Sequence, residues 1–587
     1  MDRRTLLALL LTAGVIVVTP MLFPSPRKKP VATDTLRSPR PDTVALPPLP
    51  SANPATASTT TQPVAGPPSV KSAPAASGSA AAAVTAETTV VRTERTVFSL
   101  VSPGGTPASV TLPEYHALRP GTPRQTPANL IDARDRLLRL RFANERDTIA
   151  LDTVAFRAAP QRREGNVIVQ TLTSASSSVP VTLTYRFPVD SFVAHLEGTI
   201  GTSQGAAQQW WLLVTLPARI RSEEANVADD TKHLAIGYKS GNAEVTSVMF
   251  RQLDTATARV DTGSIRWVAE RNKYFVVAIV PEGGGGRAGG ARDTTFRALI
   301  MRGAGHAGGE AVATAATAVL PISANQFGLR VYAGPQSWDH LRKTAPDLEN
   351  VNPYGGWLHG LVQPFATIVM RVLLWMRHTL NVSYGWVLVI FGVLVRLLLW
   401  PLNQNAMRSS MKLQRIQPEL AELQKKYKND PEKQRDAMLK LYQHHGMSPF
   451  TPVLGCLPML LPMPILFALY FVFQNTIELR GVSFFWMPDL SLRDPLFITP
   501  LFMGISMFAL SWIGMRGMQP SPQGKMMSYV MPVMFTVLFW NFASGLNLYY
   551  AVQNVAALPQ QWLLARERTS KAGAGKRDSG GGGGKGT

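Results

Sequence analysis

Arg396 poses the sharpest chemical question in this chain. It lies in residues 384–402, YGWVLVIFGVLVRLLLWPL, an apolar run with that single charge. A bilayer span needs roughly 20 apolar residues. A charge at its centre costs on the order of 2.5–3.5 kcal/mol on insertion scales. Arg396 stands about 18 Å along a helix from Tyr384. One reading is a functional cation that attracts acidic or polar groups inside the membrane. The other is an arginine whose head reaches the near interface beside Trp400 and Pro401. The run alone leaves both open. Other polar residues in or beside the apolar runs are scattered: Gln474, Asn475, Ser506, Ser511, Thr536, Asn541, Ser544, Asn547, Gln553 and Asn554. They include no serine–histidine or paired-carboxylate arrangement, so intramembrane proteolysis lacks its chemistry. No chain of Asp, Glu or His crosses the runs, so proton-coupled transport lacks a relay. Cys456 is the only cysteine, which excludes an intramolecular disulfide and a cysteine-cluster metal site. His444 and His445 are adjacent and do not share a helix face. We expect no metal, no cofactor and no catalytic residues.

The elements that would hold Arg396 fall into contrasting halves. The overall 45% hydrophobic content averages a mixed polar region and a series of apolar runs. The net charge of +21 implies an anionic partner, either lipid head groups or nucleic acid. Residues 1–24 read as an N-terminal membrane anchor, with a cleaved signal peptide as the alternative. Residues 25–88, rich in Pro, Ala, Ser and Thr, read as a disordered linker. Residues 89–340 show period-two alternation in short stretches such as 96–101, 136–142, 167–172, 179–187, 192–200, 210–216, 265–269, 274–280 and 296–301. Turn residues divide them, which predicts an all-β sandwich domain. Glycines at 283–286 and 289–290 mark a long loop, and residues 337–348 a short helix. Residues 357–379, interrupted by Pro364 and flanked by aromatics, read as an interfacial amphipathic helix; an extra span is the alternative.

After the span at 384–402 comes a basic segment, 403–449. Two helices broken at Asn429-Asp430-Pro431 make it a hairpin, and its lysines and arginines place it on the cytoplasmic side. Residues 453–565 hold four more apolar runs, spans 3–6. The tail at 566–587 is basic and glycine-rich, and we expect a flexible cytoplasmic arm. The expected fold is therefore a polytopic α-helical membrane protein, with a five-span core plus the anchor and a large β-sandwich outside. Both termini would be cytoplasmic.

Several separate motifs then carry a resemblance. V-R-L-L-L-W-P-L-N-Q-N-A-M (395–407), G-C-L-P-M-L-L-P-M-P-I-L-F-A-L-Y (455–470), D-L-S-L-R-D-P (489–495) and S-G-L-N-L-Y-Y-A-V-Q-N (544–554) resemble the YidC/Oxa/Alb membrane protein insertases. R-N-K-Y-F-V-V-A-I-V-P (271–281) and V-Y-A-G-P (331–335) resemble the periplasmic domain of Gram-negative members. The resemblance implies a chaperone and insertase of the bacterial inner membrane. It would act alone or with the Sec translocon, without nucleotide. It implies nascent membrane-protein clients as partners, and a ribosome contact through the basic tail and hairpin. Its groove arginine falls on Arg396, and its client-contacting positions on Met463, Pro464, Tyr549 and Tyr550. Pro462 stands where many bacterial members carry glutamine. The competing classes are a small-solute transporter, which predicts solute flux, and an envelope scaffold, in which the sandwich does the work and Arg396 is dispensable.

Overall fold

The computed structural model describes residues 87–580, apart from interruptions at 124, 133, 146, 176–179, 202–208, 284–293, 308–309, 353–358, 402–403, 405–415, 428–429, 445–462 and 517–521. The expected anchor (1–24), the linker up to residue 86, most of the glycine loop, the first part of the hairpin and Pro462 lie outside the described residues; the last two linker residues, Glu87 and Thr88, are already in strand.

The β region begins with a four-stranded sheet. Its strands are β1 (Glu87–Arg92), β2 (Val97–Ser102), β3 (Thr106–His116) and β4 (Pro127–Asn129), paired in that order. The remaining strands make a 15-stranded sheet. They are β5 (Arg139–Ala143), β6 (Thr148–Ala150), β7 (Phe156–Ala158), β8 (Arg162–Glu164), β9 (Val167–Ser174), β10 (Val181–Pro188), β11 (Val193–Ile200), β12 (Trp211–Thr215), β13 (Ala235–Ser240), β14 (Thr246–Met249), β15 (Arg259–Arg271), β16 (Phe275–Glu282), β17 (Phe296–Ala307), β18 (Glu310–Pro321) and β19 (Gln326–Pro335). The main path runs β6-β5-β12-β18-β17-β15-β16-β19-β11-β10-β9-β7. Strands β13 and β14 branch from β15, and β8 pairs with β9.

Alternation builds the outer strands. On β10, Val181, Leu183, Tyr185 and Phe187 are buried while the residues between them are partly exposed. This is the period-two pattern of a sheet with one covered face. The two sheets share one core: Phe98 of β2 lies 4.9 Å from Phe187 of β10, and the Tyr185 hydroxyl donates to the Gly105 carbonyl at 2.8 Å. Central strands behave differently. β13, β16 and β19 are buried along nearly their whole length, so they carry apolar runs without alternation.

Two short helices belong to this region, α1 (Val227–Thr231) and α2 (Trp338–Thr344). The helical region follows with α3 (His359–Leu380), α4 (Tyr384–Leu398), α5 (Gln417–Lys426), α6 (Pro431–His444), α7 (Met463–Asn475), α8 (Ile498–Gly514), α9 (Pro522–Leu538) and α10 (Ser544–Gly580). Residues 58–503 and 538–557 form one compact unit; residues 504–537 and 558–587 belong to the other. Within the second unit, the Gly504 backbone closes on Thr536, where an added Cβ would come within 2.0 Å of Oγ1. Phe508 meets Tyr529 at 5.7 Å.

Three expectations can be set beside the structure. The helix expected over 384–402 ends at Leu398, with Leu399 as its cap. Trp400 and Pro401 are helical again beyond that break. Fifteen residues reach about 22 Å at a rise of about 1.5 Å each, short of the roughly 30 Å hydrocarbon core. Among the described residues no single helix is long and apolar enough to cross a membrane; Val362–Leu380 and Tyr384–Leu398 reach that length only together, bent by 119°. The bend sits at Asn381, whose φ is +50° and which ends α3 as a left-handed cap. The second concerns α3, where an amphipathic helix was expected. Its buried stripe is Val362, Ala366, Val369, Met370, Leu373, Leu374 and Met376, yet Ile368 and Trp375 stand 58% and 61% exposed, so its outer face is apolar as well as basic. Third, the flexible arm expected from Arg566 is helical through Gly580. Leu, Ala, Arg, Glu and Lys are good helix formers, and an established helix propagates at little cost.

Candidate functional site

Helix α4 packs through one narrow face. Gly385, Leu388 and Gly392 repeat at i, i+3 and i+7, the spacing of a single helical stripe. All three are buried. The glycines allow close approach: a Cβ on Gly385 would lie 2.1 Å from the Phe484 ring, and one on Gly392 would lie 3.1 Å from Val552 and 3.5 Å from Tyr549. Arg396 continues this stripe one turn past Gly392. Arg396 itself is half-buried, whereas Leu397 and Leu398, off that stripe, are 61% and 71% exposed. The arginine therefore sits on the face of α4 that meets α10, one turn beyond Gly392.

Tyr549 is not on an open face. It is fully buried, with ring centroids 5.9 Å from Phe391 of α4, 5.3 Å from Phe473 of α7 and 5.5 Å from Tyr550. Its hydroxyl accepts from Gln553 Nε2 at 2.5 Å. It is the knot where α4, α7 and α10 meet. Tyr550 is half-buried and packs edge-on against Phe539 at 5.3 Å. Met463 and Pro464 open α7, at the opposite end of that helix from Asn475. Polar groups follow along α10: Asn547 Nδ2 donates to the Phe539 carbonyl at 3.2 Å and Asn554 Nδ2 to the Met503 carbonyl at 3.4 Å.

The 476–499 stretch after α7 organises the outer ends of these helices. Asp494 accepts from the backbone N–H of Leu496 at 2.9 Å and of Thr499 at 2.7 Å, and from Trp486 Nε1 at 3.1 Å. It thereby satisfies donors at the start of α8 that would otherwise be orphaned. Asp489 accepts from the Ser491 backbone and hydroxyl at 2.8 and 2.7 Å. The Ser544 and Gly545 amides at the start of α10 donate to the carbonyls of Leu492 and Leu490 at 2.7 and 2.9 Å. The D-L-S-L-R-D-P motif is thus a clasp on the first turns of α8 and α10.

Two charged residues of this stretch, unremarked in the sequence reading, turn inward although each is only partly buried as a whole residue. Glu478 accepts from the Ser337 hydroxyl and from the Tyr384 hydroxyl, both at 3.1 Å. Burial pushes its carboxyl above the usual range, and those two hydrogen bonds pull it back. Arg480 Nε pairs with Glu224 at 2.9 Å, with side chains 3% and 5% exposed. Burial pushes Glu224 up to about 7 against the pull of the Arg480 charge. The sequence signal was available: both charges fall in a short connection between two apolar runs. Beside the pair opens a cleft of ≈ 960 Å³, lined among others by Asp229, Lys273, Tyr274, Gln474, Arg493 and Phe542.

Comparison with known proteins follows the same division. Residues 375–571 match the 60Kd inner membrane protein family, and residues 88–368 match the YidC periplasmic domain. The membrane protein insertase YidC of Anaeromyxobacter sp. is 35% identical over 310 residues, spanning 52% of each chain, so only about half of that relative is matched. That of Chlorobaculum parvum is 28% identical over 520 residues, covering 82% of this chain and 83% of the relative. That of Nitrosococcus oceani is 30% identical over 400 residues, covering 67% and 68%.

Proposed function

Since the chain belongs to the YidC family of membrane protein insertases, we propose that it moves client transmembrane segments from the cytoplasm into the inner membrane, through a hydrophilic groove that begins at Arg396. The observation carrying this reading is the half-buried Arg396 one turn past Gly392, on the stripe by which α4 meets α10. A groove at that level admits water, which lowers the cost of the charge. A client's short polar segment pairs with Arg396 where the low dielectric strengthens attraction. Its apolar segment then slides past Met463 and Pro464, with Tyr550 at the edge and Tyr549 supporting the wall from behind. Burial of apolar surface, at about 25 cal/mol per Å², drives the transfer, so no nucleotide is consumed.

In this reading the β domain is periplasmic and both termini are cytoplasmic. Six spans cross the membrane, and α3 lies in the interface. The protein acts alone or with the Sec translocon. Its basic hairpin and tail meet the ribosome, and its net positive charge meets anionic lipids.

The test is photocrosslinking during translation of a short single-span client with a charged outer tail, in inner-membrane vesicles, with probes at Met463 and Leu399. Crosslinks that fade as the client integrates are expected. Arg396→Ala should impair insertion and Arg396→Lys partly restore it, because a hydrated positive charge matters more here than a bidentate fork. Silence at both probes together with undiminished insertion by Arg396→Ala would remove the groove from consideration.

A further inference from the structure

The R-N-K-Y-F motif (271–275) has no part in the groove, yet it is tightly built. It closes the turn between β15 and β16. Asn272 Oδ1 accepts from the Tyr274 and Phe275 amides at 3.1 and 2.8 Å. The Lys273 amide and Asn272 Nδ2 donate to Asp230 at 3.0 and 3.2 Å, and Lys273 Nζ pairs with Asp229 at 2.9 Å. This network fixes the rings of Tyr274 and Phe275, and both rings receive the Arg480 guanidinium, at 5.9 and 5.2 Å from their centroids.

Arg480 completes its coordination in the same socket. Nε pairs with Glu224 at 2.9 Å, and Nη2 donates to the carbonyls of His116 and Glu223 at 3.0 and 3.2 Å. A planar fork between two rings, with a carboxylate and two carbonyls at its edge, is a site that arginine fills and lysine fills only in part. Two residues earlier, Glu478 joins Ser337, at the end of the β region, to Tyr384, the first residue of α4. Ile477 between them is buried in the β core. The turn follows α7 directly, through Thr476. Next to it lies the wide cleft, lined by residues of the β region, the clasp and the start of α10; on that side the Thr476–Arg480 turn is a tie, and the Tyr274 hydroxyl donates to the Gln474 carbonyl at 3.5 Å beside it.

We propose that Arg480 is a positioning residue for insertion: seated in the R-N-K-Y-F socket, it fastens the outer ends of α7 and α4 to the β domain, and so holds Met463 and Pro464 in register with Arg396 at the far ends of those helices. The proposal builds on the insertase reading and adds a mechanical role for a domain which that reading leaves idle. A helix of 13 residues, α7, spans about 20 Å, so a tilt at the latched end is delivered to the groove end.

The experiment uses the full-length chain in vesicles, with Cys456→Ser and spin labels at the exposed positions Val260 on β15 and Phe467 on α7. With Arg480 intact the interlabel distance distribution should be narrow. Arg480→Met should broaden it and slow client insertion roughly fivefold or more, the low end of coupling between sites. Arg480→Lys should give intermediate values of both. If Arg480→Met fails to fold, Glu224→Gln, which leaves the carbonyl and ring contacts, should broaden the distribution and slow insertion to a lesser degree. An unchanged distribution overturns the latch. Broadening with unchanged insertion overturns its role in the reaction, as does slowed insertion at unchanged distance. Failure of the unaltered protein to insert the client would sink the insertase reading alone, since the distance measurement still reports on the latch.

Discussion

Replacing Tyr549 separates a structural knot from a client contact. The buried ring touches Phe391, Phe473 and Tyr550 and accepts one hydrogen bond, from Gln553. In a soluble core, truncating an aromatic to alanine costs about 3–5 kcal/mol. In a membrane the transfer part shrinks, because lipid tails are as apolar as the site. Three aromatic contacts at about 0.5–1.5 kcal/mol each remain, so Tyr549→Ala should cost roughly 1.5–4.5 kcal/mol. Tyr549→Phe keeps the rings and loses only the hydrogen bond, a net contribution of about 0.5–1.5 kcal/mol. The assay is thermal unfolding of the detergent-solubilised protein in parallel with client insertion in vesicles. Alanine should lower the midpoint and insertion together, whereas phenylalanine should change both little. A Tyr549→Ala protein that melts like the unaltered one yet fails to insert would refute the reasoning and return the ring to the client path.

Three other outcomes are expected. Gly385→Ala places a methyl 2.1 Å from the Phe484 ring and should cost about 1–3 kcal/mol of stability by overpacking; it is read by thermal unfolding, and an unchanged midpoint would mean that the contact is soft. Glu224, at about 7 in the folded chain against an ordinary 4.5, retains a proton in the folded state that the unfolded chain has lost. Stability should therefore fall as pH rises from about 4.5 to 7, and Glu224→Gln should flatten the profile over that window; pH-dependent unfolding checks the sign. Asp494→Ala removes the acceptor for the first amides of α8 and should cost about 0.5–2 kcal/mol, as lost helix caps do; it should also shift the fluorescence of Trp486, whose indole nitrogen binds that carboxylate at 3.1 Å.

The strands that alternate were legible. Val181–Pro188 and Val193–Ile200 each bury every second residue along most of their length, and the sequence pattern marks both. Gln326–Pro335 was missed because it pairs on one side with β16 and on the other with β11 and is buried at nearly every position. Its sequence therefore has no period to find. In the helical region Arg396 stood out as a lone charge, and its stripe with Gly385 and Gly392 follows from spacing. The direction in which Tyr549 faces did not, because it depends on where α7 and α4 come to rest. Arg480 was legible as a charge but not as a buried one, since its partner lies 256 positions away at Glu224.

The strand order also has a kinetic meaning. β12 and β11 are consecutive in that part of the chain, yet in the sheet five strands, β18, β17, β15, β16 and β19, stand between them. A chain emerging from its N-terminus first has two partial sheets, β6-β5-β12 and β11-β10-β9-β7, each with an unpaired inner edge. Such edges are templates for wrong pairing. The β12 edge is sealed when β18 arrives, and the β11 edge only when Gln326–Pro335 arrives, just before the helical region begins. Pairings so distant in sequence make for slow folding, so the interval between the appearance of β12 and of β19 is the period in which this domain is most exposed to aggregation.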